Sequence, residues 1–211
     1  VDKSPNQYVE RSLLASDQLY FKDQDYKMAL RRYQQLEDVA ANRQNVLTAL
    51  LGETRCQFQL AVYDQCINAA NKILQLAFAD DASKLEAQFY RGKSQLAQQQ
   101  PDQALASLTT VYQNNKAEMG AEAMYDVADI QFSQEKYDDA QKTIFALKDR
   151  YADYDYWRAK AFILLADIYV KTGDNFQAKS TLQSIIDNYE GADLRNIAKD
   201  KLQAIKEIGK A

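Results

Sequence analysis

Five small residues recur along this chain at nearly constant spacing: Ala29, Cys66, Ala104, Ala140 and Ala178, separated by 37, 38, 36 and 38 positions. Each stands near the start of an amphipathic segment, as in Asp25-Tyr26-Lys27-Met28-Ala29, Tyr63-Asp64-Gln65-Cys66 and Tyr137-Asp138-Asp139-Ala140. A second row, Leu36, Ile73, Val111, Leu147 and Ile185, supplies branched apolar bulk to the same stack. A two-helix unit of this length cannot bury its apolar face alone, and stacked copies share one continuous core. The spacing therefore predicts an all-α solenoid of about five helix pairs, and it favours binding along a surface over catalysis.

Hydrophobic periodicity places the first helices at 7–22, 44–60, 82–98, 117–134 and 154–172, and the second at 25–40, 63–77, 102–114, 137–150 and 175–189. The repeats then run 8–41, 44–79, 82–116, 117–152 and 154–190, forming a single array. A last helix over 193–208 carries Leu194, Ile197, Ala198, Leu202, Ile205 and Ile208 on one stripe and reads as a C-terminal cap. Punctuation agrees: Ser83 with Glu86 fits a capping box, Pro101 opens a helix and Gly191 stops one. Where paired helices cross, Thr54, Gly92, Ala128 and Ala166 face the small row, and a bulkier residue there would push the helices apart. The chain opens Val-Asp-Lys-Ser-Pro with no comparable N-terminal cap, so the array is expected to be a segment of a longer protein.

Composition narrows the function classes. Histidine is absent, which removes imidazole acid–base chemistry, His-activated nucleophiles and His-ligated metals from this segment, and no phosphate-binding glycine motif is present. Acidic pairs such as Asp80-Asp81 and Asp138-Asp139 fall at helix starts, where carboxylates oppose the helix dipole. The segment is therefore expected to be non-catalytic and to hold no cofactor. A net charge of −4 and an acidic pI argue against nucleic acid, and no apolar run is long enough to span a membrane. Cys56 and Cys66 read as packing residues; their spacing leaves a disulfide between them open.

A small residue in the first helix, an aromatic opening the second, then Ala or Cys is a pattern that resembles the tetratricopeptide repeat (TPR) family. It stands here as Thr54 with Tyr63 and Cys66, and as Ala128 with Tyr137 and Ala140; Ala166 with Ala178 keeps the two small positions. The resemblance covers roughly 8–190. The repeats exceed the family's usual length of about 34 residues, lack its terminal Pro, and carry Asp17 where a small residue is expected. The stretches 156–161 and 182–189 look like the TPR proteins of bacterial cell envelopes, which makes the bacterial periplasm or envelope the expected compartment.

The resemblance implies a right-handed superhelix whose first helices line a concave face. An apolar row there is Leu14, Leu51, Phe89, Tyr125 and Ile163, and one turn on lies a polar row, Gln18, Arg55, Lys93, Asp129 and Asp167, whose sign changes along the array. A third row, Phe21, Phe58, Leu96, Phe132 and Val170, either packs neighbouring repeats or lines a trough. The expected function is a protein-interaction scaffold that holds a partner peptide or helix along these rows, with Arg55, Phe89, Lys93, Tyr125 and Asp129 carrying recognition. The carboxylate clamp of chaperone adaptors is not expected, because Leu14, Phe21, Leu51 and Phe58 occupy its places. Tyr154, Tyr156 and Trp157 form a second aromatic group, either an interface or a wedge between helix layers. The alternatives are a self-assembling or spacer module, and a regulatory subunit of an enzyme domain outside this segment.

Overall fold

The computed structural model describes residues 7–208, with the side chains of Gln7, Asp17, Gln18 and Ile208 outside the described set. Eleven α-helices occupy these residues: α1 (Gln7–Lys22), α2 (Tyr26–Val39), α3 (Arg43–Gln59), α4 (Tyr63–Gln75), α5 (Asp81–Ala97), α6 (Pro101–Asn114), α7 (Glu118–Ser133), α8 (Tyr137–Arg150), α9 (Asp155–Lys171), α10 (Asn175–Asn188) and α11 (Ala192–Ile208). Every boundary lies within two residues of the periodicity's span. The chain divides into two compact units, residues 1–111 and 112–211. Within each, sequential helices pack on one another, and the first helices of neighbouring pairs also touch, α3 on α5 and α7 on α9.

The recurring small residues do what their spacing demands. Ala29, Cys66, Ala104, Ala140 and Ala178 are fully buried, as is Thr54, and Ala128 and Ala166 are at most 1% exposed. A Cβ built on Gly92 would come within 2.7 Å of Leu108 Cγ, so the α5–α6 crossing admits no side chain there without repacking. Leu36, Ile73, Val111, Leu147 and Ile185 are likewise buried. Both cysteines are buried and are not joined in a disulfide, and Cys66 Sγ lies 3.3 Å from the Thr54 carbonyl. Burial pushes the Cys66 thiol up to about 11 against an opposing hydrogen bond with Ser94, which makes it a neutral packing group.

One turn closes every pair. Asp25 N donates to Tyr20 O, Val62 N to Gln57 O, Gln100 N to Gln95 O and Lys136 N to Gln131 O at 2.9 Å, and Asp174 N to Tyr169 O at 2.8 Å. These are the six-to-one bonds of Schellman motifs. The residue before each donor is left-handed: Gln24 at φ 61°, Ala61 at 57°, Gln99 at 60°, Glu135 at 59° and Gly173 at 84°. Against the same corner, Phe21 packs on Tyr26, Phe58 on Tyr63 and Phe132 on Tyr137, with ring centroids 5.3, 6.0 and 5.7 Å apart. The third apolar row is thus partly consumed in bracing the turn, and its members are half-buried.

Three local expectations change. The cap of α5 is Asp80, whose carboxylate accepts from Ser83 N at 2.7 Å, so Ser83 is inside the first turn and Glu86 is released from capping. On α11, Leu194, Ala198, Leu202 and Ile205 are buried, but Ile197 is 44% exposed because the stripe is narrower than the full set of apolar residues. Gly191 precedes α11 with Tyr189 folded close to it.

Candidate interaction surface

The candidate rows lie on the first helices. In the first unit, Leu14 and Leu51 are half-buried, while Phe89 is 9% exposed and edge-packed on Tyr90 at 5.5 Å. Phe58 bridges Tyr63 and Tyr90, the latter at 5.4 Å. Lys93 Nζ lies 5.9 Å from the Phe89 ring centroid. The Gln18 side chain lies outside the described residues.

The polar row departs from an open gradient. Arg55 Nη2 donates to Glu86 Oε2 at 2.8 Å while Nε donates to Oε1, a fork-to-carboxylate pair joining α3 to α5. That hydrogen bond holds the guanidinium above its ordinary pKa against partial desolvation. In the second unit, Lys201 Nζ on α11 donates to both oxygens of Asp167 on α9, at 2.7 and 3.0 Å. Arg55 and Asp167 are therefore closed inter-helix pairs, each partly solvated, that fix how one helix sits on the next. The sequence reading missed Glu86 and Lys201, which stand 31 and 34 residues after their partners, about one repeat on and opposite in sign.

The second unit concentrates aromatics around one cation. Lys160 Nζ lies 4.5 Å from the Tyr125 centroid, 4.9 Å from Trp157 and 5.8 Å from Tyr156. The rings brace one another: Tyr125 and Trp157 at 5.8 Å, Tyr156 and Trp157 edge-on at 5.0 Å. Trp157 is 8% exposed and donates Nε1–H to Glu118 Oε1 at 3.3 Å. Its neighbour Tyr151 is 1% exposed, and its hydroxyl reaches the carbonyls of Tyr112 at 2.9 Å and Asn115 at 2.6 Å. Trp157 and Tyr151 are thus wedges; Tyr154 is half-buried against Tyr151, and Tyr156 remains 38% exposed. Ile163 is 7% exposed and belongs to the α9–α11 core, whereas Asp129 is exposed. Burial, and then the charges of Asp129, Asp126, Tyr156 and Asp167, raise the Tyr125 phenol well above its ordinary pKa. Tyr156 also borders a cleft of about 580 Å³ lined by Lys148, Asp155, Arg158, Phe162 and Tyr189.

Comparison with known proteins decides the family. The sequence profile of the tetratricopeptide repeat-like domain matches residues 112–210, and that of the tetratricopeptide repeat matches residues 86–116. The chain belongs to the tetratricopeptide repeat family. Curated proteins gave no sequence match. Among solved structures, a MamA RS-1 double mutant is similar at TM-score 0.72 and 16% identity, over 87% of this chain and 96% of that one. A MamA fragment from Desulfovibrio magneticus RS-1 gives 0.70 and 17% over the same shares. YrrB, described as a TPR protein with an unusual peptide-binding site, gives 0.65 and 18% over 89% of this chain and 90% of its own. These likenesses establish the right-handed TPR solenoid fold. TPR proteins with this fold are typically protein-interaction scaffolds. Among the described residues no helix is long and apolar enough to cross a membrane.

Proposed function

We propose that this TPR protein is a non-catalytic scaffold that binds a segment of a partner protein on its first helices, α3 and α5 in one unit and α7 and α9 in the other. The observation that carries the reading is the aromatic group around Lys160, where Tyr125 and Tyr156, side chains with hot-spot chemistry, stay partly open over the buried Trp157 and beside exposed Asp129. Inter-helix pairs such as Arg55–Glu86 and Asp167–Lys201 hold this face in register, which lowers the entropy lost on binding. The peptide-binding site described for YrrB gives the reading a structural parallel. A photo-crosslinking side chain placed at Leu51 or Tyr125 is expected to trap a partner, whereas one at Phe145, 40% exposed on second helix α8, is not. Adducts formed only from position 145 would move the site to the other face.

A second reading, self-assembly through α1, rests on Tyr8 and Leu19, which are 82% and 62% exposed. It predicts that sedimentation shows a concentration-dependent mass, abolished by Tyr8→Glu with Leu19→Glu.

A further inference from the structure

We propose that the Tyr125–Tyr156–Trp157 group is a receptor for a basic side chain of the partner, with Lys160 as an internal stand-in that the partner displaces. The inference deepens the scaffold reading and rests on it. A ring face attracts a cation through its quadrupole, and three faces within 6 Å of one ammonium make a cage. Helix α7 carries Glu118, Glu122, Asp126 and Asp129 and no basic residue. Of these, Asp129 and Asp126 lie near enough to add to the burial that raises the Tyr125 phenol.

Lys160 is tethered to α9 and half-exposed, so its ammonium can swing out to water while its stem stays on the helix. Trp157 and Tyr125 cannot follow it. Trp157 is fixed by Glu118 and by burial, and Tyr125 packs in the core that contains Ile144 and Leu164. The rings are therefore preorganised and the cation is exchangeable. An arriving Lys or Arg side chain gains the ring faces that Lys160 gives up, whereas a carboxylate is repelled by those faces.

Trp157 is the chain's one tryptophan, so its emission reads cage occupancy directly. The probes are a five-residue Ala/Lys peptide, its lysine-acetylated form and an Ala/Glu peptide, titrated into wild type, Lys160→Ala, Tyr156→Leu and Asp129→Asn. Removal of the stand-in is expected to tighten the Lys peptide about tenfold, and acetylation, Tyr156→Leu or Asp129→Asn each to weaken it several-fold. Circular dichroism of each variant keeps a folding defect from passing as lost binding. Equal affinity of the Lys peptide for wild type and Lys160→Ala overturns the stand-in. Binding of the Glu peptide that is lost in Lys160→Ala overturns the cation receptor and leaves the scaffold surface standing. A Trp157 signal unmoved by every probe overturns the cage, and the scaffold reading is then judged by the crosslinks at Leu51 and Tyr125 alone.

Discussion

A polar tie between paired helices repeats with one member missing, and filling it should stabilise the protein. Ser107 donates its hydroxyl to Gln95 Oε1 at 2.9 Å, tying α6 to α5, and Thr143 donates to Gln131 Oε1 at 2.7 Å, tying α8 to α7. Each donor lies 12 residues after its glutamine. In the second repeat the same positions are Gln57 and Ala69, both 4% exposed, and Gln57 Oε1 is buried with no hydrogen-bond partner among the described residues. Ala69→Ser adds one oxygen where its two equivalents already hold hydroxyls. A completed bond to a buried acceptor contributes about 1.5 kcal/mol net, relief of that acceptor included. The poorer helix propensity of Ser takes back about 0.5 kcal/mol. The expected gain is about 1 kcal/mol in urea unfolding followed by circular dichroism, with hydrogen exchange slowed in α3 and α4. In a Gln57→Leu background the same hydroxyl is buried without an acceptor and should cost about 1 kcal/mol, giving a coupling near 2 kcal/mol. A coupling below about 0.5 kcal/mol would refute the tie.

Three further outcomes follow from the same packing. Replacing left-handed Gln24, Ala61, Gln99 or Glu135 with Gly should stabilise by about 0.5 kcal/mol each, since relief of the αL penalty outweighs the added chain entropy, while Gly173→Ala should cost about 1 kcal/mol; melting midpoints that fall in the first four would refute this. Glu53 is 5% exposed, and burial together with the charge and hydrogen bond of Glu37 pushes its carboxyl up to about 8, Asp38 adding to this and Lys72 opposing it. The folded chain thus keeps a proton that the unfolded chain releases, so this stabilisation is full below pH 4.5 and is lost as pH rises to about 8; Glu53→Gln should flatten that slope in urea midpoints, and parallel slopes would sink the assignment. Arg55→Glu should destabilise by about 1–2 kcal/mol and Glu86→Arg in the same chain should restore most of it, with no recovery meaning that the pair does not set register.

The parts of the fold legible in the sequence were those fixed by volume. A helix crossing excludes bulk, so Ala29, Cys66, Ala104, Ala140 and Ala178 had to stay small and their spacing showed. The turns are as regular, with left-handed residues five positions before each small one, yet only Gly173 announces its conformation. The backbone bonds of the motif and the Phe–Tyr brace over it hold Gln, Ala and Glu in a conformation their own preferences disfavour. Ser83 misled for the opposite reason: its sequence fits a cap, but Asp80 three residues earlier offers the better acceptor, and Glu86 is drawn to Arg55 across the repeat.

Of the candidate rows, the sequence made legible their places on the first helices and not their charge pairing, because a row of residues read along one helix omits the next helix over. Arg55 and Asp167, taken alone, suggest recognition of a dipolar ligand; with Glu86 and Lys201 beside them, each is half of a tie. Charges that hold repeats together are poor discriminators of partners, since engaging one with a ligand gives up a contact within the protein. Discrimination then falls to groups whose internal partner is replaceable. A cation seated on ring faces is in that position, because another cation can take its place without leaving a buried charge unpaired. By this reasoning the proposed receptor puts discrimination at Lys160 and the rings around it more than along the length of the polar row.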